Sequence, residues 1–590
     1  MSIFGLLSVG AQSILTHQKS IDAVNENIAN QDNEEYARQR VNLQDVVPAG
    51  VQIKNLQRIF DNHLFNRFLK LNQETSGDKT YTDVLHEVET MFNDIHGSGF
   101  FNNINKFFNA FSDVAVNPDD PAARDAVISA ARQLIANIRD TYNNMQKIKE
   151  ETSLSIKDSI HKINNILKNI AQLNKNIKSF RYDDTRLNNY LNQRDALLKE
   201  LSSYIDIKVT YRDDNTADVY TVKGYGLVLY DQYKSISYEY TQEGAKVKVD
   251  NVDLTNLFKN GKVGGALRAI NKINQKITDL NDFTALFASS VNKLHRHGYD
   301  LNGNTGRDFF KISPDSSLDY INASNIDLNI NDYKEIAVAA DSRYLNSDNS
   351  IAKSIFALKD FNEITTKTTN NSVSSTTTFG GGSFDIVLDN KKIATVNYTS
   401  TDTISDIVNK INNSQSLVVA KLYENPPSSG NYYIQFFAKD IKLSPSIKIE
   451  NDTGNFVSTV GGIDNYKSLY NPEEKALLTS SSGLTFGSTT PKYKISNVDN
   501  LTLLGNKSFQ ELYTKRFTSE LGIEISDAKE RLDSNKKLLE AVKSKIEEKS
   551  GVNVDEELVN LMKYQRAYQS AAKLITVTDE LIQTILGLVK

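Results

Sequence analysis

Large apolar residues recur every seven positions at both ends of the chain, and this spacing limits the possible folds more than any other feature of the sequence. A seven-residue apolar period is typical of a helix that packs along a seam against another helix. Near the start of the chain the row is formed by Leu7, Ile14, Ile21 and Ile28, with Val24 beside it. We therefore predict a coiled-coil helix that ends near Asn30.

The end of the chain carries a wider apolar stripe on a second predicted helix. Asn553 can cap this helix, and Glu556 stands three residues further on, as in a capping box. Because the stripe is wider than one partner helix can cover, we predict that part of it contacts neighbouring molecules. The stripe consists of Leu561, Tyr568, Ile575 and Ile582, of Leu574 and Leu581, and of Ile585 and Leu586.

Three internal segments have the same seven-residue period, which predicts long helices with a buried face. The apolar rows of these segments begin at Ile156, Ile273 and Ile525. A further helix start is predicted at Pro121, because Asp120 before it can cap the helix. We expect these distant segments to form one long-helix bundle.

Two regions between the helical segments alternate apolar and polar residues, as half-buried strands do. The first is residues 206–261, with runs such as "IDIKVTYRDD". The second is residues 363–505, which open on "TTKTTNNSVSSTTTFGGGS", a composition that predicts a flexible linker. The residues after this linker predict two strands, a helix and two more strands.

Together these patterns predict an α+β multidomain fold. Terminal coiled-coil helices and a long-helix bundle are built from both ends of the chain, and β-rich domains are inserted in the middle. The predicted divisions are an inner terminal-helix domain of residues 1–60 and 550–590, a helical bundle domain of residues 61–205, 262–362 and 506–549, a small β-rich insertion of residues 206–261, and a β-rich outer domain of residues 363–505 with its Ser/Thr/Gly linker.

The composition excludes several classes of function. The net charge is -5, and the 68 basic residues are dispersed among 73 acidic ones, so we expect no nucleic-acid partner. No apolar stretch approaches the roughly 18 residues of a membrane-spanning helix, and we expect no membrane partner. Cysteine is absent, which excludes disulfides, thiol nucleophiles and cysteine-based metal sites. The N-terminus lacks the pattern of a secretory signal peptide, so export would use another route.

The segment "HRHGYDLNGNTGRDFF" is the strongest candidate for a metal site. An EF-hand calcium loop needs Gly at its sixth position and Glu at its twelfth, where this segment has Thr305 and Lys311. We therefore interpret His295 and His297 as surface histidines before a turn. The segment "FGGGSF" lacks the Lys-Ser/Thr that follows a phosphate-binding loop. We predict no catalytic site, no cofactor and no metal, and hence no enzyme.

Several segments resemble the axial proteins of the bacterial flagellum. At the N-terminus "NIANQDNEEYARQRV" is similar to the family's signature, and at the C-terminus "SGVNVDEELVNLMKYQRAYQSAAKLITVTDELIQTIL" is similar to its last helix. The internal segments "FFNAFSDVAVNPDDPAARDAVISAA" and "LNNYLNQRDALLKELS" are similar to the members at the hook-filament junction. Family members usually carry a Pro-Gly turn after "NIAN", which this chain lacks, so that either Asp32 and Asn33 make the turn or the helix continues.

The resemblance implies a structural subunit with no enzymatic activity. It implies export through the flagellar type III channel, with a cytoplasmic chaperone on the C-terminal helix beforehand. Outside the cell, copies of the chain would form a ring between hook and filament, in contact with the hook protein, a second junction protein and the filament side. The localisation implied is therefore the extracellular flagellum, and the protein would be needed for filament assembly and motility.

The seam patterns and the resemblance together predict an assembly interface at the two ends of the chain. The residues predicted to form it are Leu7, Ile14, Ile21, Val24, Ile28, Asn30, Tyr36 and Arg38 at the N-terminus, and Leu561, Tyr564, Tyr568, Leu574, Ile575, Leu581, Ile582, Ile585 and Leu586 at the C-terminus. Two alternatives stay open. One is a hook or rod-type axial protein, and the other is a secreted adhesin or hydrolase, exported by the flagellar route, with residues 363–505 as its active part.

Overall fold

Long helices dominate the chain. The computed structural model describes residues 3–46, 50–92, 99–359, 365–388, 391–415, 418–424, 429–438, 447–462, 465–468, 484–486, 492–496 and 509–588. A π-helical turn, Thr514–Ser519, joins the helices Phe509–Tyr513 and Glu520–Ser550. The α-helices are α1 (Ile3–Ala29), α2 (Asn62–Phe92), α3 (Phe100–Val116), α4 (Pro121–Ser179), α5 (Asp184–Tyr204), α6 (Gly261–Arg296), α7 (Ser350–Ala357), α8 (Ile404–Ser414), α9 (Phe456–Val460), α10 (Phe509–Tyr513), α11 (Glu520–Ser550) and α12 (Val554–Leu588).

The strands form several small sheets. In chain order they are β1 (Gln39–Val46), β2 (Gly50–Arg58), β3 (Ile207–Tyr211), β4 (Ala217–Thr221), β5 (Gly226–Leu229), β6 (Gln232–Tyr233), β7 (Ile236–Thr241), β8 (Gly244–Val249), β9 (Val252–Asp253), β10 (Phe310–Ile312), β11 (Tyr320–Ile321), β12 (Ile326–Leu328), β13 (Thr365–Thr368), β14 (Val373–Ser374), β15 (Gly382–Leu388), β16 (Lys391–Tyr398), β17 (Val418–Glu424), β18 (Asn431–Ala438), β19 (Ile447–Glu450), β20 (Asn465–Ser468), β21 (Leu484–Phe486) and β22 (Lys492–Ile495). Hydrogen-bonded neighbours follow the orders β1-β2, β3-β4-β5-β6, β7-β8-β9, β10-β12, β11-β22-β21, β14-β18-β13-β20 with β17 on β18, and β16-β15-β19. The α+β class predicted from the sequence is thereby confirmed.

The chain divides into two compact units. The first consists of Met1–His86, Lys149–Asn271 and Ile525–Lys590, and the second of Glu87–Ile148 and Lys272–Glu524. Both ends of the chain therefore lie in the first unit. The four domain boundaries expected from the sequence stay predictions.

The first unit has a core between its long helices and the sheets β3–β6 and β7–β9. The row of α4 that starts at Ile156 is fully buried there, since Ile163 and Ile170 are 0% exposed. Val219 and Val247 of the small sheets belong to the same apolar cluster. The seven-residue period thus marks a core face in α4, as predicted.

The second unit contains an aromatic cluster and, further along the chain, a separate small core. Phe107 of α3 lies 5.2 Å from Phe287 of α6 between ring centroids, and both rings are fully buried. The small core includes Phe384, Ile407 and other residues of 373–460. Here β15, β16, α8, β17 and β18 follow one another, the strand, strand, helix, strand, strand order predicted from the sequence.

The residues expected to form a flexible linker are part of this small domain. Strand β13 pairs with β18 and β20, and β14 also pairs with β18. Phe379 is 1% exposed and packs on Phe456. The expectation of a linker failed at these positions because β-branched threonines favour strands, and their polar composition hid this preference. Residues 360–364 lie outside the described residues.

Two helix starts have the caps that the sequence predicts. The Asp120 carboxylate accepts a hydrogen bond from the backbone N–H of Ala122 at 2.9 Å, just before Pro121 begins α4. The Asn553 side chain accepts from the N–H groups of Asp555 and Glu556 at the start of α12.

The part of the chain that the structure describes contains no helix whose length and hydropathy would let it span a membrane.

Candidate assembly interface

Helices α1 and α12 pack together as an antiparallel pair. Gly10 lies against Ile575, while His17, about two turns further along α1, stacks on Tyr564 with 6.3 Å between ring centroids. A Cβ atom at Gly10 would stand 2.7 Å from Cγ1 of Ile575, closer than real Cβ atoms come to a neighbour. Glycine has no Cβ, so it lets the two helices approach closely. Gly10 therefore sets the spacing of the pair.

The most buried row on α12 is not the apolar row that the sequence indicates. It consists of Glu557, Ala571 and Thr578, which are 1%, 6% and 1% exposed, with the half-buried Tyr564 between them. Small and polar side chains fill this row, and no apolar pattern reveals it. The predicted row of Leu561, Tyr568, Ile575 and Ile582 runs beside it and is half-buried except at Tyr568, which is exposed.

Helix α1 also buries polar and small residues. Thr16, Ser20, Ala23 and Asn27 are nearly closed to solvent. The Thr16 hydroxyl donates to the carbonyl of Val51 in β2 at 3.1 Å, and the Ser20 hydroxyl donates to the Thr16 carbonyl within the helix. These bonds satisfy the buried hydroxyls, so α1 can pack against the hairpin of β1 and β2.

The turn after α1 is built from its own polar side chains. Helix α1 ends at Ala29, and the Asn33 side chain accepts a hydrogen bond from the N–H of Glu35 at 3.1 Å. The N–H of Tyr36 donates to the Asn33 carbonyl at 2.9 Å. The Tyr36 hydroxyl then donates to the Asn27 side chain at 2.8 Å, and burial raises the pKa of Tyr36. Asn33 thus makes the turn that replaces the missing Pro-Gly, as predicted.

Arg38 connects this turn to the start of α12. Its Nε donates to Glu557 at 2.6 Å, and its Nη2 donates to Glu556 at 2.7 Å. The hydrogen bond with Glu556 raises the pKa of Arg38, and the same bond lowers the pKa of Glu556. Glu557 is a buried carboxylate that this arginine neutralises. The guanidinium was expected to meet a neighbouring molecule, and in the structure it is paired within the chain.

An apolar surface on α12 is left uncovered by α1. Near the helix end Leu581, Ile585 and Leu586 are 46%, 46% and 63% exposed. We call these three residues the terminal patch. Ile585 continues the buried row of Glu557 at a spacing of seven, and here the row is open to solvent. Near the helix start Leu558, Val559 and Met562 are about as exposed.

The structure brings most of the predicted interface residues into one helix pair and its connector. Val24 is buried and four residues are exposed. The exposed ones are Tyr568, Leu581, Ile585 and Leu586, and the partly buried ones are Leu7, Ile14, Ile21, Ile28, Asn30, Tyr36, Arg38, Leu561, Tyr564, Leu574, Ile575 and Ile582. The sequence reasoning missed the exposed side chains of Leu15, Leu558, Val559, Met562 and Val577. These fall outside the seven-residue rows, and the width of the stripe was the only signal that could have found them.

The interpretation of His295 as a surface residue is wrong. Its ring is fully buried, its Nε2 accepts from the N–H of Ala337 at 2.8 Å, and its Nδ1 lies 2.8 Å from the Arg307 carbonyl, to which it donates. Burial lowers the pKa of His295 to about 4. The Asp300 carboxylate accepts from the N–H groups of Asn302 and Asn304, so the loop bonds to itself. Among the described residues no cluster of three or more His, Asp or Glu side chains could hold a metal ion.

Family models match two parts of the chain. The model described as the flagellar hook-associated protein FlgK helical domain matches residues 85–310. The model described as the flagellar basal body rod FlgEFG protein C-terminal matches residues 543–588, which include all of α12. The first model covers helical segments of both units, and the second covers the α12 side of the candidate interface.

Several curated relatives and one solved structure are also similar to this chain. The chain is 24% identical over 596 residues to flagellar hook-associated protein 1 of Salmonella typhimurium, and the match covers 97% of each chain. It is 22% identical over 359 residues to the protein of the same name from Bacillus subtilis, covering 53% of this chain and 71% of that one. The structure of the flagellar hook junction protein FlgK from Burkholderia pseudomallei is similar at 15% identity, with 81% of this chain and 99% of that chain covered and a TM-score of 0.48.

Proposed function

Since the chain belongs to the family of flagellar hook-associated protein 1, we propose that it is a structural subunit of the flagellum at the junction between hook and filament. The observation that carries this proposal is the terminal patch on α12. Leu581, Ile585 and Leu586 are 46%, 46% and 63% exposed on a helix whose other side is closely packed. Burying a large apolar side chain is favourable by about 1.5–3 kcal/mol, so three of them favour association with further molecules.

In this proposal the subunit acts by contact and not by catalysis. Copies of the chain form a ring through the exposed sides of α1 and α12, on the hook protein below and beneath a second junction protein above. The 17 residues predicted from the sequence contribute unequally to this interface, with the terminal patch contributing most. Before export a cytoplasmic chaperone covers the same patch, and the chain is exported through the flagellar type III channel to the outside of the cell.

The first experiment is electron microscopy of cells that lack this protein. We expect hooks without filaments, together with flagellin released into the medium. Normal filaments on such cells would refute the junction role. Hooks that are themselves missing would favour a rod or hook subunit, the first alternative that the sequence leaves open.

The second experiment tests the patch itself. Leu586→Asp places a charge on a side chain that is 63% exposed, so the monomer should fold normally while assembly on the hook is lost. Ser570→Asp adds the same charge at another exposed position of α12 and serves as the control. Ile575→Asp is less informative, because Ile575 contacts Gly10 within the helix pair. Filaments of normal length in the Leu586→Asp strain would contradict the proposal.

A further inference from the structure

A pocket of about 440 Å³ lies in the second unit between α4 and the strands β10 and β12. Arg132 and Arg139 line it from α4, where a spacing of seven residues puts them on the same face of the helix. Lys311 lines it from β10. The side chains of Ile135 and Leu328 contribute an apolar part of the wall. Neither the helix-pair interface nor the family relationship gives this pocket a role.

The charges around the pocket are unbalanced. Three cationic side chains line it, and Asp327 is the one carboxylate among the lining residues. Asp327 stands opposite Lys311 in the register of β10 and β12, and one of its oxygens already accepts from the N–H of Leu328 at 2.9 Å. Across the described residues, Arg132, Arg139 and Lys311 have no ion-pair partner within 4.0 Å. The pocket therefore carries a net positive charge that the protein leaves uncompensated.

Arg139 supplies the most specific observation. Its Nε and Nη2 atoms are buried and have no hydrogen-bond partner. These two N–H groups form the edge of the guanidinium that binds an oxyanion in a bidentate manner. Buried polar groups are nearly always hydrogen-bonded, and an unpaired cationic donor is especially unfavourable. The pocket is the open space beside this side chain, so an anion there would supply the missing acceptor after a small rotation of the guanidinium.

We propose that this pocket binds a small oxyanion, a phosphate or a carboxylate carried on a compact molecule. Arg139 would hold the anion with its Nε and Nη2 edge, while Lys311 of β10 and Arg132 of α4 would add positive charge. A metal cation is excluded by the three positive side chains around the space. Three positive charges are too few to follow a nucleic-acid backbone.

The bound anion would join two elements that are far apart in the chain. Arg139 and Lys311 are separated by more than 170 residues, and no direct bond links their side chains. An anion bonded to both would fix α4 against β10. Binding should therefore raise the resistance of the second unit to unfolding, because a ligand that binds the folded state alone stabilises it.

The test uses the full-length monomer and two probes, inorganic phosphate and citrate, titrated at constant ionic strength by calorimetry. We expect saturable binding of at least one probe at a single site. Arg139→Gln should weaken it by about tenfold or more, since it removes a charged, bidentate donor. Lys311→Gln should weaken it by a smaller factor. Lys168→Gln removes the same charge from an exposed position of α4 outside the pocket, and binding should be unchanged.

A further variant separates geometry from charge. Arg139→Lys keeps the positive charge but lacks the Nε and Nη2 edge that binds an oxyanion in a bidentate manner. Its affinity for the anion should therefore fall nearly as far as that of Arg139→Gln. A preference for phosphate over citrate, or the reverse, identifies which oxyanion the site takes. Absence of saturable binding of both probes up to about 10 mM would overturn the proposal. An equal loss in Arg139→Gln and Lys168→Gln would also overturn it, because the binding would then be general charge screening.

Discussion

The same seven-residue apolar period leads to two different surfaces in the first unit. In α4, Ile163 and Ile170 are 0% exposed, because the sheets and neighbouring helices of the unit cover that face. In α12, Leu581 is 46% exposed, although its spacing of seven from Leu574 is equally regular. The seven-residue apolar period thus predicts a helix and its apolar face. It does not predict whether that face is covered by the same chain or by another molecule.

The largest expected loss of stability comes from a substitution on the buried face of α4. Ile163→Ala removes buried methyl groups and leaves a cavity, so it should lower the free energy of unfolding of the first unit by about 2–5 kcal/mol. The matched substitution on the open face, Leu586→Ala, should change it by no more than about 0.5 kcal/mol. Urea unfolding of the monomer measures both. Similar losses in the two variants would mean that the terminal patch is covered within the monomer.

The two units should also differ in their response to acid. His295 in the second unit is fully buried and neutral with a pKa of about 4, while His17 of the helix pair is only half-buried. Stability from a neutral buried histidine is complete above the unfolded pKa of about 6.5 and falls as the pH drops towards 4. The second unit should therefore lose about 3 kcal/mol over this window, by linkage.

Hydrogen exchange of the monomer at pH 7 and pH 5 measures, unit by unit, the part of this loss that falls between these two values, about 2 kcal/mol. Protection should fall in the second unit more than in the helix pair. In His295→Gln the pH dependence should shrink, whereas His161→Gln, at an exposed histidine of α4, should keep it. An unchanged profile in His295→Gln would show that other groups cause the acid sensitivity.

Some elements of the fold and of the candidate interface could be predicted from the sequence, and others could not. The helices, the caps at Asp120 and Asn553, and the core row of α4 were predictable, because period and capping are local properties. The row of Glu557, Ala571 and Thr578 was not, because side chains that pack through small size or a distant ion pair carry no apolar signal. The burial of His295 was also missed, since its partners Arg307 and Ala337 are brought to it only by the fold.

A substitution at Arg38 should have a smaller effect on the stability of the first unit. It tests how the turn after α1 is joined to the start of α12. Arg38→Gln removes the cation that pairs with the buried Glu557, so the first unit should lose about 2 kcal/mol. Glu557→Gln in the same chain removes the uncompensated charge and should restore part of that loss. Thermal unfolding of the two variants measures the difference. A double variant less stable than Arg38→Gln alone would show that Glu557 has another role.

The smallest expected change in stability comes from a substitution at Gly10, where α1 and α12 approach closely. Gly10→Ala improves the helix propensity of α1 by about 1 kcal/mol. The added Cβ would meet Cγ1 of Ile575 at 2.7 Å, and such overpacking costs about 1–3 kcal/mol. The net result should be a loss of about 1 kcal/mol in the wild-type background.

The change in stability caused by Gly10→Ala should reverse its sign once the Ile575 side chain is removed. In a chain that carries Ile575→Ala there is space for the new methyl group, and Gly10→Ala should then stabilise the monomer through helix propensity alone. Urea unfolding of the four chains of this cycle gives the coupling between the two positions. A coupling near zero would mean that the helices stand further apart than the contact between Gly10 and Ile575 implies. A large coupling would show that a residue without a side chain sets the distance between α1 and α12, and thereby how much of α12 is left for other molecules to cover.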